Sequence, residues 1–173
     1  MEHRGACGGD GISGDGAGIM TDVPWALFPQ YYSGQGEKPG VGMIFLPREE
    51  SRRELIKSLI QEVCESNDLV FLGWREVPVE ITALGPNARK SAPSIWQFFV
   101  KSPTPPSELE GFQDDFERKL YFIRRKFDVE RKRKGLHWED NDNEVINSFG
   151  LHVNVTLIFT RLTLILFSST SLR

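Results

Sequence analysis

The most constraining feature of the chain is a one-sided helical stripe: Leu55, Ile56, Leu59, Ile60, Val63 and Cys64 recur at helical spacing between polar positions. Such a helix buries one face and leaves the other wet, so the chain must supply an apolar surface beside it. Ser51 and Glu54 have the S-x-x-E spacing of a capping box and predict where the helix starts. Ser66-Asn67-Asp68 predicts its end. On the upstream side, Val41-Gly42-Met43-Ile44-Phe45-Leu46 reads as a strand stopped by Pro47. Downstream, Leu69 to Leu72 reads as a strand, Gly73-Trp74-Arg75 as a break, and Val77 to Ile81 as a further extended piece. The predicted unit is β-α-β-β.

Leu84 to Pro93 carries the turn formers of a long loop, and Ile95 to Val100 is apolar and aromatic enough for a buried strand. Pro103-Thr104-Pro105-Pro106 reads as a stiff spacer. After it, Phe112, Phe116, Leu120, Ile123 and Phe127 define a second helix with one core-facing stripe. The far end of that helix is basic, with seven Lys or Arg against two acids from Arg124 to Lys134. Gly135 to Glu144 then carries four acids and no bases, and the two blocks are expected to offset each other. The basic run reads as a solvated helix face.

Length and composition limit the alternatives. A chain of 173 residues suits one domain, and its 12 Phe and 4 Trp exclude a disordered polymer. The formal net charge of −3 argues against a dedicated nucleic-acid binder. Cys7 and Cys64, the 2 cysteines, can form neither a disulfide framework nor a four-cysteine zinc site, so no metal site is expected. No secretory signal pattern opens the sequence. The run from Val155 to Phe167 is apolar but shorter than the roughly 20 residues of a membrane helix, and Arg161 interrupts it. A buried strand pair suits its β-branched and Phe content better than a membrane span.

The motifs that invite chemistry are weak alone. Residues 1–18 hold seven glycines and read as a structured loop. Gly9-Asp10-Gly11-Ile12-Ser13-Gly14 matches G-x-G-x-x-G, but no strand precedes it and no helical pattern follows before Pro24. Asp10 and Asp15 lack the alternating oxygen ligands and final Glu of a calcium loop. His3, His137 and His152 show no ligand spacing. Cys7, near Arg4 and His3, invites a nucleophile reading, although a small buried thiol is the simpler one. Cys64 lies on the apolar face of the first helix and reads as core.

Several ordered blocks carry a stronger signal together. Met1-Glu2-His3-Arg4-Gly5-Ala6-Cys7-Gly8, then Gly14-Asp15-Gly16-Ala17-Gly18-Ile19-Met20 and Pro24-Trp25, resemble the early part of the glutamine amidotransferase domain of glutamate synthases. Gly40 to Pro47, Leu72 to Val79, Asn87-Ala88-Arg89, Pro93, Gln97 and Phe116 to Tyr121 resemble the same family in the same order, leaning toward the ferredoxin-dependent plant and algal type.

The resemblance implies an α+β fold: part of the N-terminal nucleophile hydrolase architecture, a four-layer α-β-β-α sandwich, lacking its first strand and later strands. It implies glutamine as the family's substrate, hydrolysed to glutamate and ammonia by an N-terminal Cys whose own amine serves as base. In the family that Cys precedes the HRG block, so no residue of this chain is assigned as catalytic. Cys7 matches a later cysteine whose nitrogen is locked in a peptide bond. It could act only in a stand-alone glutaminase trimmed to begin there. Arg4 matches the Arg of the HRG block and is the substrate-binding candidate, with a structural salt bridge as its alternative. The Asn-Gly of the oxyanion hole lies further downstream in the family.

The full enzyme would use FMN, an iron–sulfur cluster and ferredoxin as electron donor, with a synthase domain in the same polypeptide. None of those cofactors is expected in this segment. The expected organisation is a partial amidotransferase domain at 1–149 and a divergent apolar tail at 150–173, of the kind a translated intron or a frameshift would give. A plastid location follows if the plant or algal likeness holds. The 173 residues alone are expected to be inactive and marginally stable, since half a sandwich exposes apolar faces. The alternative is a non-catalytic interaction protein derived from the domain, with the basic helix end as its contact surface.

Overall fold

A computed structural model of the chain describes residues 17–36, 38–103, 112–136 and 162–167. These form an α+β arrangement of two antiparallel sheets and three helices. Strands β2 (Gly40–Leu46), β3 (Val70–Glu76) and β4 (Ser94–Lys101) make one sheet in the order β2-β4-β3. Strand β4 is central, so Gln97, Phe98, Phe99 and Val100 are all buried although successive side chains leave opposite faces of the sheet. That explains an apolar run without alternation. Strands β1 (Ala17–Asp22) and β5 (Leu162–Phe167) form a separate antiparallel ribbon, Ala17 opposite Phe167 and Asp22 opposite Leu162.

Helix α1 (Glu50–Glu65) follows β2, and its Ile56, Leu59, Ile60, Val63 and Cys64 are buried as their spacing predicts. Leu55, placed on the same stripe from sequence, is instead 53% exposed. It lies at the edge of the stripe and turns to solvent. The capping box is not formed. Glu49 is the N-cap residue, and Ser51, already inside the helix, turns its hydroxyl back to donate to the Glu49 carboxylate. Glu54 pairs instead with Lys57, at 3.0 Å. Acidic Glu49 and Glu50 at the positive end of the helix dipole explain the start equally well.

The helix does end at Ser66-Asn67-Asp68. Asp68 takes a left-handed φ of 55°, and the Leu69 and Asp68 amides donate to the carbonyls of Cys64 and Glu65 at 3.2 Å each. This is a Schellman closure, with Leu69 buried as its apolar clasp. Helix α3 (Phe112–Arg133) closes in the same way. Gly135 has φ 68°, the Leu136 amide donates to Arg131 at 3.0 Å, and the Gly135 amide donates to Lys132 at 3.0 Å.

Strand β3 runs through the predicted break. A bulge between Phe71 and Gly73 absorbs one residue, and Gly73 at φ 147° takes the backbone shape that the bulge requires. Trp74, Arg75 and Glu76 then pair with Phe98, Gln97 and Trp96. The extended piece predicted at Val77 to Ile81 is not a strand. The Val77 amide adds one bond to the Ile95 carbonyl at 2.9 Å, Pro78 has no amide to continue the ladder, and Ile81–Ala83 forms a single 3-10 turn. The loop predicted at Leu84 to Pro93 holds a short helix, α2 (Pro86–Ser91), with proline in its first turn.

Both long helices cover one face of the three-stranded sheet. Ile44, Leu46, Phe98 and Val100 meet the α1 stripe together with Phe116, Leu120, Ile123 and Phe127 of α3. Lys57 of α1 lies over the Trp96 ring at 3.9 Å and the Trp74 ring at 5.4 Å, closing the rim of this core with cation–π contacts. Of the tail run read as a buried strand pair, residues 162–167 form strand β5, which pairs with β1, and residues 155–161 lie outside the described residues. Among the described residues no helix is long and apolar enough to cross a membrane.

Candidate functional site

The segment after β1 is irregular, yet it is tightly held on the sheet face opposite the helices. Pro24 starts a 3-10 turn at Trp25–Leu27, and Val23 and Phe28 pack with Val41 and Phe99 as a second buried cluster. Tyr31 stacks on Phe99 with centroids 3.8 Å apart and planes 11° off parallel. Its hydroxyl donates to the Trp74 carbonyl at 3.0 Å. Gly73 is where the ring comes closest, since a Cβ there would lie 3.2 Å from Tyr31 Cε1. The bulge and the ring therefore fit only because residue 73 has no side chain.

Beside this clasp, Arg75 and Gln97 face each other across β3 and β4. Arg75 Nη1 donates to Gln97 Oε1 at 2.9 Å, and the guanidinium carbon lies 5.2 Å from the Phe28 centroid. Gln97 is 4% exposed. The contacts fix a half-buried guanidinium in plane, a group that can bind a carboxylate through two parallel bonds. A second arginine pair braces the loop that precedes β4. Arg48 donates to the Ala92 and Arg89 carbonyls at 2.7 and 2.6 Å, and Arg89 donates to the carbonyls of Thr82 and Leu84 at 3.1 and 3.0 Å.

The structure thus brings together blocks that are distant in sequence: Trp25, the Leu72 to Arg75 stretch and Gln97 meet on this face. Arg75 and Gln97 stand in the sequence within the family-like blocks but carry no site signal of their own there, and Phe28 and Tyr31 carry none either. What marks those two is only the aromatic density after Pro24, which has no period to reveal it. Arg4, Cys7, His3, His137, His152, the 9–14 glycine motif, Asp10 and Asp15 lie outside the described residues. So does most of the Pro-rich spacer.

Cys64 is the one cysteine among the described residues, and it is core as expected. Burial, with the Glu65 charge adding to it, pushes its thiol up to about 12, so it is not a thiolate at neutral pH. Among the described residues no three His, Cys, Asp or Glu are grouped as a metal site requires. The basic end of α3 is engaged locally. Arg131 and Lys132 pair with Asp128 at 2.8 and 3.0 Å, Arg133 with Glu130 at 2.8 Å, and Lys134 with Glu62 of α1 at 3.0 Å. The offsetting acids found here belong to the helices. Those of the 139–144 stretch lie outside the described residues.

Against known families, residues 1–156 match the class-II glutamine amidotransferases. The chain belongs to this family. It is 41% identical over 146 residues to a ferredoxin-dependent glutamate synthase of rice (Oryza sativa subsp. japonica), covering 81% of this chain and 9% of the rice protein. It is 44% identical over 131 residues to ferredoxin-dependent glutamate synthase 1 of Arabidopsis thaliana, covering 72% of this chain and 8% of that protein. To ferredoxin-dependent glutamate synthase 2 of a Synechocystis species it is 43% identical over 130 residues, again 72% of this chain and 8% of the other. The chain therefore spans under a tenth of the length of the curated relatives it matches. The rice protein is named as chloroplastic and the Arabidopsis one as chloroplastic/mitochondrial.

Proposed function

We propose that these residues are part of the glutaminase half of a glutamate synthase of the ferredoxin-dependent kind. The observation that carries this reading is the family match across 1–156, together with relatives of that name covering most of the chain. The chemistry is hydrolysis of the glutamine side-chain amide. A cysteine thiolate attacks the amide carbon, ammonia leaves, and water releases glutamate and regenerates the thiol. Ammonia then passes to 2-oxoglutarate in a synthase domain of the same polypeptide. Arg4, in the HRG block, is assigned beside the nucleophile as a substrate-binding residue, and a guanidinium there suits a carboxylate ligand.

In fold terms, β2-β4-β3 with α1 and α3 represent one sheet and one helical layer of the four-layer sandwich. The side of that sheet opposite the helices, on which Phe28 and Tyr31 pack, is the side assigned to a second sheet. An iron–sulfur cluster needs several thiolates, and the sequence offers Cys7 and the core residue Cys64, so this segment does not fit the cluster. The cluster, FMN and the ferredoxin contact are assigned to polypeptide outside this stretch. A plastid location is proposed from the chloroplastic names of the relatives. Residues 1–149 are taken as amidotransferase sequence and 150–173 as a divergent tail, a division tested by sequencing spliced transcript across codons 145 to 155.

A polypeptide of these 173 residues alone lacks a residue in the place of the family's nucleophile, so it is expected to release no ammonia from glutamine. The experiment is a glutaminase assay of the purified chain beside an intact relative, followed by the same assay in the relative after substitution of the arginine matching Arg4. Activity in the 173-residue chain would overturn the assignment of the nucleophile. An unchanged KM for glutamine in the substituted relative would remove Arg4 from the site.

A further inference from the structure

We infer that Arg75 and Gln97 form a binding site for a carboxylate on the face of the β2-β4-β3 sheet opposite the helices. Cross-strand pairing puts Met43, Gln97 and Arg75 in one row of that face. The row on one side holds Val41, Phe99 and Gly73, under Phe28 and Tyr31, and the row on the other holds Phe45 and Ile95. A guanidinium and a carboxamide thus stand alone among apolar neighbours. Taking a guanidinium out of water at such a place costs free energy unless an opposite charge meets it.

The donors decide the ligand. A guanidinium has no acceptor, so the Gln97 amide turns Oε1 toward Arg75 and accepts from Nη1 at 2.9 Å, which leaves Nε2 as a donor. Gln97 is 4% exposed, yet no acceptor among the described residues meets its Nε2. None meets the Nε and Nη2 edge of Arg75 either, although the Phe28 ring, 5.2 Å from the guanidinium carbon, holds that group in place. Two touching groups therefore offer donors only, together with one positive charge. A backbone carbonyl would satisfy a hydrogen but not the charge. A phosphate, with a charge of about −1.5 to −2 at neutral pH, would exceed the single cation of these three rows. A carboxylate carries one negative charge and two coplanar oxygens that match the Nε–Nη2 edge. Its sources are two: a side chain of the layer that covers this face, which rests on the proposed reading of a second sheet, or a free carboxylic acid.

The test follows the Arg75 Nε–H resonance of the whole 173-residue chain as sodium acetate replaces sodium chloride at constant ionic strength. The arginines carry a nitrogen isotope label, and loss of the signal in Arg75→Lys assigns it. A saturable shift is expected, half-complete at about 10–100 mM acetate. Gln97→Glu sets a carboxylate directly beside Arg75 and should abolish the shift, while circular dichroism verifies that the variant keeps its fold. This measurement is independent of the glutaminase reading and can fail while that reading stands. An intact relative separates the two sources and needs no folding of the isolated chain. With a side chain in the site, Arg→Met at the position matching Arg75 lowers the melting temperature, and exchange of chloride for acetate moves both proteins alike. With a free acid as the ligand, acetate raises the melting temperature of the relative above its value in chloride, and Arg→Met removes the difference. An Arg75 resonance indifferent to acetate, or one that still responds in Gln97→Glu, overturns the proposal. So does a relative in which Arg→Met changes neither the melting temperature nor its response to acetate.

Discussion

The two faces of the β2-β4-β3 sheet are closed by different means. On one, two regular helices lay down stripes of aliphatic and Phe side chains, giving a cluster of fourteen buried residues from Ile44 to Phe127. On the other, an irregular segment lays Val23, Phe28 and the partly buried Trp25 and Tyr31 over Val41 and Phe99, and the cluster has four buried members among the described residues. The first face gains its stability from area and repetition. The second depends on a few oriented contacts, a stacked ring, one hydroxyl bond and one glycine, so single atoms matter more there.

Adjacent residues of β4 give the sharpest test of that contrast. Phe98 and Phe99 are both fully buried, one on each face. Large-to-small substitution of a buried Phe costs about 3–5 kcal/mol, the higher values arising where the surroundings cannot collapse. Phe98→Ala, held between two packed helices, is expected at the top of that range and should unfold a marginal chain. Phe99→Ala should fall at the bottom, since the 23–32 segment can settle into the space. Urea midpoints of the two variants decide it, and equal costs would mean that the irregular face is as rigid as the helical one.

Next in size is Gly73→Ala. It forces a side chain onto a residue at φ 147° and sets a methyl 3.2 Å from the Tyr31 ring. Strain of this kind costs about 1–3 kcal/mol. Because the Tyr31 ring must shift, the substitution should also red-shift or quench Trp74 and Trp25 fluorescence before global unfolding. Gly135→Ala makes the comparison: it too has positive φ, but a Cβ there meets nothing within 4 Å, so only the backbone term remains.

The helical face was legible in the sequence because period 3.6 survives in any context that buries one side. Ile56 to Cys64 and Phe116 to Phe127 follow it, and among the described side chains of the two stripes only Leu55, at the edge of its own, departs from it. β4 was legible for its density of apolar residues. The bulge at Gly73 was not, because a glycine between two short apolar runs reads equally as an end or as a kink within a strand, and only the register with Phe99 separates them. The capping box failed for a similar reason. Ser51 and Glu54 have the spacing, but the N-cap position is fixed by the backbone at Glu49, two residues before Ser51. The clasp on the second face has no period at all, so Phe28, Tyr31 and the Arg75–Gln97 pair emerged only from the fold. The family's early blocks were recognisable as words, and their nucleophile-side residues lie outside the described structure.

Tyr31→Phe isolates one contact of the clasp. The ring stack on Phe99 stays, and the bond to the Trp74 carbonyl goes, a loss of about 1 kcal/mol for one neutral hydrogen bond. The change should be visible as faster amide exchange in residues 23–32 with exchange in α1 unaltered. Equal acceleration in α1 would show that the two faces unfold as one unit rather than separately.

The smallest expected effect lies at the end of α3 and is read as a function of pH. Burial pushes the Asp128 carboxyl up, but hydrogen bonds from Arg131 and Lys132, and their charges, outweigh it and hold the group below its ordinary range. A carboxyl whose folded pKa lies below its unfolded value stabilises the fold above the unfolded pKa, and that contribution fades as pH falls through the folded one. Asp128→Asn should therefore flatten the acid limb of the stability curve and leave its slope near neutrality unchanged. The effect is small because Asp128 is 39% exposed and solvent screens the pair. Arg131 is the more buried partner and also donates to the Leu136 carbonyl at 2.7 Å, so its own truncation should cost more than that of Asp128 at every pH. Melting temperatures of both variants at pH 3 and pH 7 separate a lost charge pair from a lost helix closure. If Asp128→Asn and Arg131→Ala move together at both pH values, the closure of α3 rests on the ion pair after all.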